Sequence, residues 1–146
     1  MGWIRRAAAA LPLVVLFALP TNAQGVTDPR QWVEGALKVY MERRGSGLYD
    51  LLMKDTAIGH QSPKILEKNR SKIESEFDAM GVPHSTEFVN ESDLGPSLKK
   101  VRYLIKYRRL PLLVEFTFYK FDRTWDVVHF AYEAGDDVWN KIGRTN

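Results

Sequence analysis

Three long extended runs follow one another in the second half of the chain, and they constrain the fold more than any other feature of the sequence. They cover about 98–109, 111–121 and 124–134. Each is rich in Val, Ile, Phe, Tyr or Trp, the residue types that favour strands. The links Arg109-Leu110 and Asp122-Arg123 are too short for a crossover, so neighbouring runs must pair as antiparallel hairpins. With a shorter run around Thr86 and Phe88, the sequence predicts a sheet of about four strands.

The short links also predict the register of the sheet. The first hairpin, closed at Arg108, pairs Tyr103 with Phe116. The second hairpin, closed at Phe121, pairs Phe116 with His129. One face of the sheet then holds Val101, Tyr103, Ile105, Tyr107, Leu112, Val114, Phe116, Phe118, Trp125, Val127, Ala131 and His129. This set is the more apolar of the two, so we expect it to pack on the helices.

The first half of the chain has helical rather than extended spacing. Asp28-Pro29 is typical of a helix start, and Gly45-Ser46-Gly47 is predicted to end that helix. The first predicted helix covers about 28–44. Leu48, Leu51 and Leu52 predict a short second helix before a turn around Ile58-Gly59, and a third helix runs from Ser62-Pro63 to Gly81. Helices followed by an antiparallel sheet predict an α+β fold, with the helices packed on one face of a curved sheet.

Residues 1–23 have the pattern of an export signal rather than of a folded element. Two arginines precede a thirteen-residue apolar run, and small residues ending at Ala23 mark a cleavage site. A membrane-spanning helix needs about 20 consecutive apolar residues, and prolines interrupt and end this shorter run. We therefore expect cleavage before Gln24, a single mature domain over 24–146, and a periplasmic or secreted location in a bacterium.

Composition narrows the chemistry of the mature domain. The chain has no cysteine, which excludes disulfide bonds and Cys-based metal sites, and an exported small domain of this kind is more typical of a bacterial envelope. No two histidines have the close spacing of a metal site, and we expect neither a metal nor a cofactor. Without the two arginines of the leader, 21 basic residues fall to 19, against 18 acidic residues, so the mature domain is nearly neutral.

Basic residues between positions 99 and 109 alternate with Tyr103 and Tyr107. Nucleic-acid-binding surfaces combine basic and aromatic residues in a similar way. The pleat of a strand, however, points these tyrosines to the face opposite the basic side chains. We therefore expect no nucleic-acid partner, and interpret the basic residues either as a solvated strand face or as a surface attracted to an anionic envelope.

Three stretches of the predicted sheet resemble a known group of proteins. They are Ser97-Leu98-Lys99-Lys100-Val101-Arg102-Tyr103-Leu104-Ile105-Lys106-Tyr107, Phe116-Thr117-Phe118-Tyr119-Lys120 and Trp125-Asp126-Val127-Val128-His129-Phe130. With the helices before them, they resemble uncharacterised exported bacterial proteins that have the cone fold of the nuclear transport factor 2-like and cystatin-like superfamily. The resemblance implies a cavity between helices and sheet. Because the superfamily includes isomerases, dehydratases, transport adaptors and secretion components, the fold does not choose a function.

The side chains predicted to line that cavity are Tyr40, Tyr103, Tyr107, Phe116, Trp125 and His129. An enzyme of the isomerase type would need a carboxylate among them, but the register places Glu115 and Asp126 on the other face. His129 could serve as an acid, a base or a ligand contact near neutral pH, or as a histidine hydrogen-bonded within the core. Trp125 and the other aromatic residues could likewise form a ligand pocket or ordinary core.

The opposite face of the sheet carries more apolar residues than a solvated sheet normally exposes. The residues predicted to form an interface there are Leu104, Leu113, Val128, Phe130 and Tyr132. Cones of the superfamily often form dimers through this face. The sequence thus predicts a homodimer or a surface for an envelope protein partner.

Three functions are compatible with the sequence. The first is a non-catalytic binding or accessory domain of the cell envelope, which takes a small apolar ligand or a protein partner. The second is a small cofactor-free enzyme of the isomerase or dehydratase type that uses the cavity Tyr and His residues. The third is a secretion-system or inhibitor accessory protein that acts through its sheet surface. No residue is assigned a catalytic role.

Overall fold

The structure is a computed structural model that describes residues 25–61 and 63–143. The predicted leader over residues 1–23 lies outside the described residues. The helices are α1 (Pro29–Asp55), α2 (Ala57–Gln61), α3 (Pro63–Ala79) and α4 (Asp136–Gly143), and the strands are β1 (Ser85–Asp93), β2 (Leu98–Lys106), β3 (Pro111–Phe121) and β4 (Thr124–Ala134). The strands form an open antiparallel sheet in the order β1-β2-β3-β4, which confirms the predicted α+β fold.

Helix α1 begins as predicted but continues further. The Asp28 carboxylate accepts hydrogen bonds from the backbone N–H groups of Arg30 and Gln31, at 3.0 and 3.2 Å, and so caps the helix. The predicted end at Gly45-Ser46-Gly47 is a kink within one long helix. At Arg44 the backbone has φ 61° and ψ −154°, a conformation that residues other than glycine rarely adopt. The predicted short second helix is therefore the second half of α1.

The hairpin between β2 and β3 has a longer turn than predicted. Four residues, 107–110, connect the strands, and the Tyr107 N–H donates to the Leu110 carbonyl at 3.3 Å. The pairing is consequently offset by two residues, so that Tyr103 lies opposite Val114 rather than Phe116. An offset of two keeps every side chain on its predicted face, because side chains alternate with a period of two.

The hairpin between β3 and β4 begins in the predicted register, with Phe118 opposite Val127, and then departs from it. Val128 is an extra residue on β4, a β-bulge that moves every later residue by one position. Thr117 therefore lies opposite His129, and Phe116 lies opposite Phe130. The predicted inward position of His129 is wrong: its side chain is exposed on the other face of the sheet.

The helices pack on the face that the sequence predicts as apolar. Trp32 of α1 contacts the rings of Phe116 and Phe118 edge-on, with centroids 5.7 and 5.8 Å apart. The core buried between the two layers consists of Val33, Ala36, Leu37, Tyr40, Leu48, Leu52, Ile73, Phe77, Val101, Tyr103, Ile105, Tyr107, Leu112, Val114, Phe116, Phe118 and Val127. After the bulge, Phe130 and Tyr132 also pack against this core, in place of the predicted Ala131 and His129.

Helix α4 is an element that the sequence did not predict. It follows β4 directly, contacts β3 and β4, and places Lys141 in an ion pair with Glu133 of the outer face. Val138 of α4 and Leu113 of β3 are both almost completely buried. Trp139 is 63% exposed, so Val138 is the residue of α4 that packs in the interior. Thus α4 covers part of the sheet face that the helical layer leaves open.

Candidate functional site

Four of the six predicted cavity residues are core residues. Tyr40, Tyr103, Tyr107 and Phe116 are all buried. The hydroxyls of Tyr40 and Tyr107 hydrogen-bond to each other, and the Tyr103 hydroxyl donates to the Glu34 carboxylate at 2.8 Å. These side chains fill the space between helices and sheet in which the sequence predicted a cavity.

The hydroxyls of the Tyr40–Tyr107 pair are poorly suited to proton transfer. Burial raises the pKa of Tyr107 far above its ordinary value, and the hydrogen bond to Tyr40 raises it further. Burial also raises the pKa of Tyr40. The charge of nearby Arg44 lowers both pKa values without reversing the direction. Both phenols therefore stay protonated at physiological pH and serve to join α1 to the end of β2.

The predicted interface residues do not form one exposed surface. Leu113 is 1% exposed, and Phe130 and Tyr132 belong to the helix-facing side because of the bulge. Leu104 and Val128 are half-buried. The prediction of a continuous apolar outer face is therefore wrong, since it assumed a regular β4 and no helix α4.

The structure has a cleft of about 510 Å³ at one end of the sheet. It lies between the junction of α1 with α2 and the β3–β4 hairpin. Its aromatic walls are Trp32, Phe121 and Trp125. The exposed polar residues at its rim are Lys54, Asp55, His60, Thr124 and Asp126, and the buried Thr56 also lines it. Of the six predicted cavity residues, Trp125 lines this cleft.

Two contacts to β4 shape the cleft. The backbone N–H of Val26 donates to the Trp125 carbonyl at 3.0 Å, and the Trp125 N–H donates to the Val26 carbonyl at 2.8 Å. The Asp126 carboxylate accepts a hydrogen bond of 2.9 Å from the Ala57 N–H, the first residue of α2. The first contact adds the N-terminal segment to the sheet edge, and the second fixes α2 against the same strand.

The turn between α1 and α2 is also specified locally. The buried Thr56 hydroxyl donates to the Leu52 carbonyl at 2.7 Å and accepts from the Ile58 N–H at 3.2 Å. Gly59 lies so close to the backbone of Met53 that an added Cβ would overlap it. The tight turn brings His60 and Asp55 to the same cleft although the helix direction changes between them.

Cation–π and ring contacts hold the aromatic residues of the cleft in place. The Lys99 and Lys120 ammonium groups lie 5.7 and 5.4 Å from the centroid of the Trp125 ring, within the range of cation–π attraction. Trp32 is fixed by its edge contacts with the core phenylalanines. The cleft therefore offers a preformed apolar surface beside carboxylate, ammonium and imidazole groups, an arrangement that can bind an aromatic or apolar body with a polar end.

Sequence reasoning missed most of this cleft. Its residues come from four separate segments, around positions 25, 32, 54–60 and 121–126. His60 is an exposed residue of α2 and lies on the cleft rim. The part of the chain that the structure describes contains no group of three or more His, Asp or Glu side chains able to hold a metal ion.

Comparison with protein-family models, curated proteins and solved structures finds no match to this chain. Within residues 25–61 and 63–143, no helix combines the length and apolar composition that crossing a bilayer requires.

Proposed function

We propose that this chain is a non-catalytic binding domain of the bacterial cell envelope, and that its cleft takes a small ligand with an apolar or aromatic body and a polar end. The observation that carries this proposal is the cleft with Trp32, Phe121 and Trp125 on its walls. An envelope location is supported by the export pattern of residues 1–23, and a relation to the cone-shaped superfamily by the order of helices and strands.

The dimensions of the cleft favour a small molecule as its ligand. A volume of about 510 Å³ falls within the usual range of ligand pockets, roughly 300–1,000 Å³. Such pockets combine apolar walls with a few polar groups that set the orientation of the ligand. Here Asp55 and Lys54 supply both signs of charge along the rim, beside the imidazole of His60.

The contacts of the predicted catalytic side chains favour binding over an isomerase-type reaction. The phenols of Tyr40, Tyr103 and Tyr107 are all used in internal hydrogen bonds. His129 lies on the opposite face of the sheet from them. A general acid and base must reach the same substrate, and this placement separates them.

Native mass spectrometry of the protein purified from its own envelope would show whether a small molecule stays bound. The neutral fluorophore N-phenyl-1-naphthylamine provides a probe of the cleft. We expect saturable binding, and at least tenfold weaker binding in His60→Trp, which fills the mouth with an indole ring. His84→Trp is the matched control, because His84 is exposed near the far end of β2. Equal binding by wild type and His60→Trp, or binding that never saturates, would refute the proposal.

A further inference from the structure

Four large apolar side chains are exposed together at one end of the sheet. Leu94, Leu98, Tyr119 and Phe121 are 53%, 37%, 43% and 75% exposed. We refer to these four residues as the apolar tip. A soluble domain rarely leaves several large apolar side chains together in water unless they contact a partner or a membrane.

The residues of the apolar tip are neighbours in space. Leu98 lies directly opposite Tyr119 in the β2–β3 ladder, and Phe121 follows Tyr119 on the same face of β3. The Leu94 N–H donates to the Leu98 carbonyl at 2.8 Å, which closes the turn between β1 and β2. The Lys120 N–H donates to the carbonyl of Ser97 in that turn, also at 2.8 Å. The turns β1–β2 and β3–β4 therefore meet at this end.

The N-terminal segment joins the domain at the same end. Val26 pairs with Trp125, the second residue of β4, close to the β3–β4 turn. The chain preceding Gly25 has 24 residues, and its sequence contains the apolar run from Ala7 to Leu19. Until the predicted cleavage before Gln24, a leader in the bilayer would therefore hold this end of the domain, with its apolar tip, at the membrane surface.

The charges around the tip suit an interface with lipid headgroups. Lys120 and Arg123 flank Phe121, while the acidic side chains at this end include Asp93 and Asp122. Lys99 is already paired with Glu91 and Asp93. With both signs present, net charge alone would not hold the domain on a membrane, and the aromatic and apolar side chains must supply the attraction. Tyr is enriched at membrane–water interfaces, and Phe is a common apolar residue of segments that bind membrane surfaces.

From these observations we infer that the apolar tip docks on the surface of a lipid bilayer, with Phe121 and Tyr119 inserted among the headgroups. Phe121 also lines the cleft, so docking places the cleft mouth beside the bilayer. A ligand that reaches the cleft from that surface would be a membrane-borne amphiphile, a consequence that rests on the proposed function.

The absence of cysteine allows a direct test, because single introduced cysteines can be labelled cleanly. Phe121→Cys and, as a control, Leu110→Cys would carry an environment-sensitive nitrobenzoxadiazole label. Leu110 is 48% exposed in the β2–β3 turn, at the opposite end of the sheet. The protein exported by its host is mixed with phosphatidylethanolamine–phosphatidylglycerol vesicles that contain doxyl-labelled acyl chains. We expect a blue shift and quenching at position 121 and neither at position 110. Equal responses at the two positions, or no response at either, would overturn the inference.

A second measurement uses variants outside the cleft. Leu98→Ser combined with Tyr119→Ser should lower vesicle binding of the leader-free protein at least tenfold, since two apolar anchors are lost. The control pair, Val82→Ser with Leu110→Ser, removes comparable exposed side chains at the other end and should leave vesicle binding unchanged. Equal losses of vesicle binding in the two double variants would contradict the inference. So would a protein dimer that forms in the wild type and is lost in the tip variant, because the tip would then be a dimer interface.

The membrane and ligand proposals can fail separately. If the cleft binds no ligand but the tip still docks, His60→Trp and wild type will bind vesicles equally, and neither will bind N-phenyl-1-naphthylamine saturably. If docking fails but the cleft functions, the tip double variant and the wild type will bind the fluorophore with equal affinity. The label at position 121 will then not respond to vesicles.

Discussion

The two halves of the outer face of the sheet have similar strand residues but very different exposure. Leu113 and Phe121 lie on the same face of the same strand, yet Leu113 is almost fully buried and Phe121 is mostly exposed. Helix α4 contacts β3 and β4, and it begins at Asp136, just after Ala134, the last residue of β4, which lies opposite Leu112. Because side chains alternate between the two faces along the whole of β3, their exposure on the outer face is set by whether a neighbouring element covers them.

The geometry of α4 explains why one half is covered. Gly135 has φ 70°, which lets the chain turn back from the end of β4, and Asp136 and Asp137 stand in the first helical turn, where negative charge is favourable. An eight-residue helix is only about 12 Å long. It starts at the end of the sheet opposite the apolar tip, and its length prevents it from covering both halves.

The covered half contains a buried ion cluster, and its disruption should have the largest effect on stability. The Glu115 carboxylate contacts the Arg102 guanidinium at 2.7 Å and the Lys100 ammonium at 3.1 Å. Glu115→Gln removes the negative charge from two buried or half-buried cations and should lower the free energy of unfolding by about 3 to 5 kcal/mol. Urea unfolding measures this. Glu87→Gln, which alters an exposed pair with Lys106, should cost about 1 kcal/mol or less; equal losses would contradict the importance of burial.

The same cluster should make stability depend on pH. Burial alone would raise the pKa of Glu115, but hydrogen bonds and charges from Arg102 and Lys100 outweigh it and hold the pKa below its ordinary value. A carboxyl with a lower pKa in the folded state contributes stability above about pH 4.3, and this is lost as the pH falls through the folded-state pKa. The difference in unfolding free energy between wild type and Glu115→Gln should therefore shrink on acidification. A difference that stays constant from about pH 6 to pH 3 would disagree with this linkage.

A smaller effect is expected where α4 meets the sheet. Val138 is completely buried, and its truncation to alanine removes two methyl groups and leaves a small cavity. We expect Val138→Ala to lower the free energy of unfolding by about 2 kcal/mol. Thermal unfolding followed by circular dichroism measures the change. Trp139→Ala, at the exposed neighbouring position, should change stability by about 0.5 kcal/mol or less, and the reverse order would mean that α4 packs through its other face.

The exposed half should show the smallest effect on stability. Because Phe121 is mostly in contact with water, Phe121→Ser should change the free energy of unfolding by about 0.5 kcal/mol or less. Chemical denaturation in the absence of lipid checks this value. A loss of several kcal/mol would show that Phe121 is a structural residue and would remove the contrast between the two halves.

The sequence predicts the fold well where side-chain alternation is regular. Val101, Val114 and Phe118 lie on the predicted inner face, although the first hairpin is offset, because the offset is an even number of residues. The α+β order of elements also follows from periodicity and from short links. These features are local or repeat with a fixed period, and a single sequence contains them.

The bulge in β4 left a weaker signal in the sequence. Trp125 and Val127 are inward-facing at odd positions, whereas Phe130 and Tyr132 are inward-facing at even positions. This change in the parity of large apolar residues indicates an inserted residue between 127 and 130. A prediction that continues one parity through the strand instead turns His129 inward, which is why the catalytic hypothesis placed an imidazole in the core.

The cleft could not be predicted because its parts are distant in sequence. Trp32, His60 and Trp125 meet only after α1 kinks, α2 turns and Val26 pairs with β4. None of these contacts has a periodic signature. Helix α4 was missed for another reason: eight residues with a single fully buried valine give too short a pattern to separate from a polar tail.

The positions of the two bulges have a consequence for the edges of the sheet. Val89 is an extra residue in β1 and Val128 is an extra residue in β4, while the central pair β2–β3 has an unbroken register. Only the two outermost strands are thus irregular. A regular outer strand can template a strand from another molecule and begin an aggregate, and a bulge twists such a strand and interrupts the required row of hydrogen bonds. The residue that displaces His129 thus also protects the molecule from growing into a continuous intermolecular sheet.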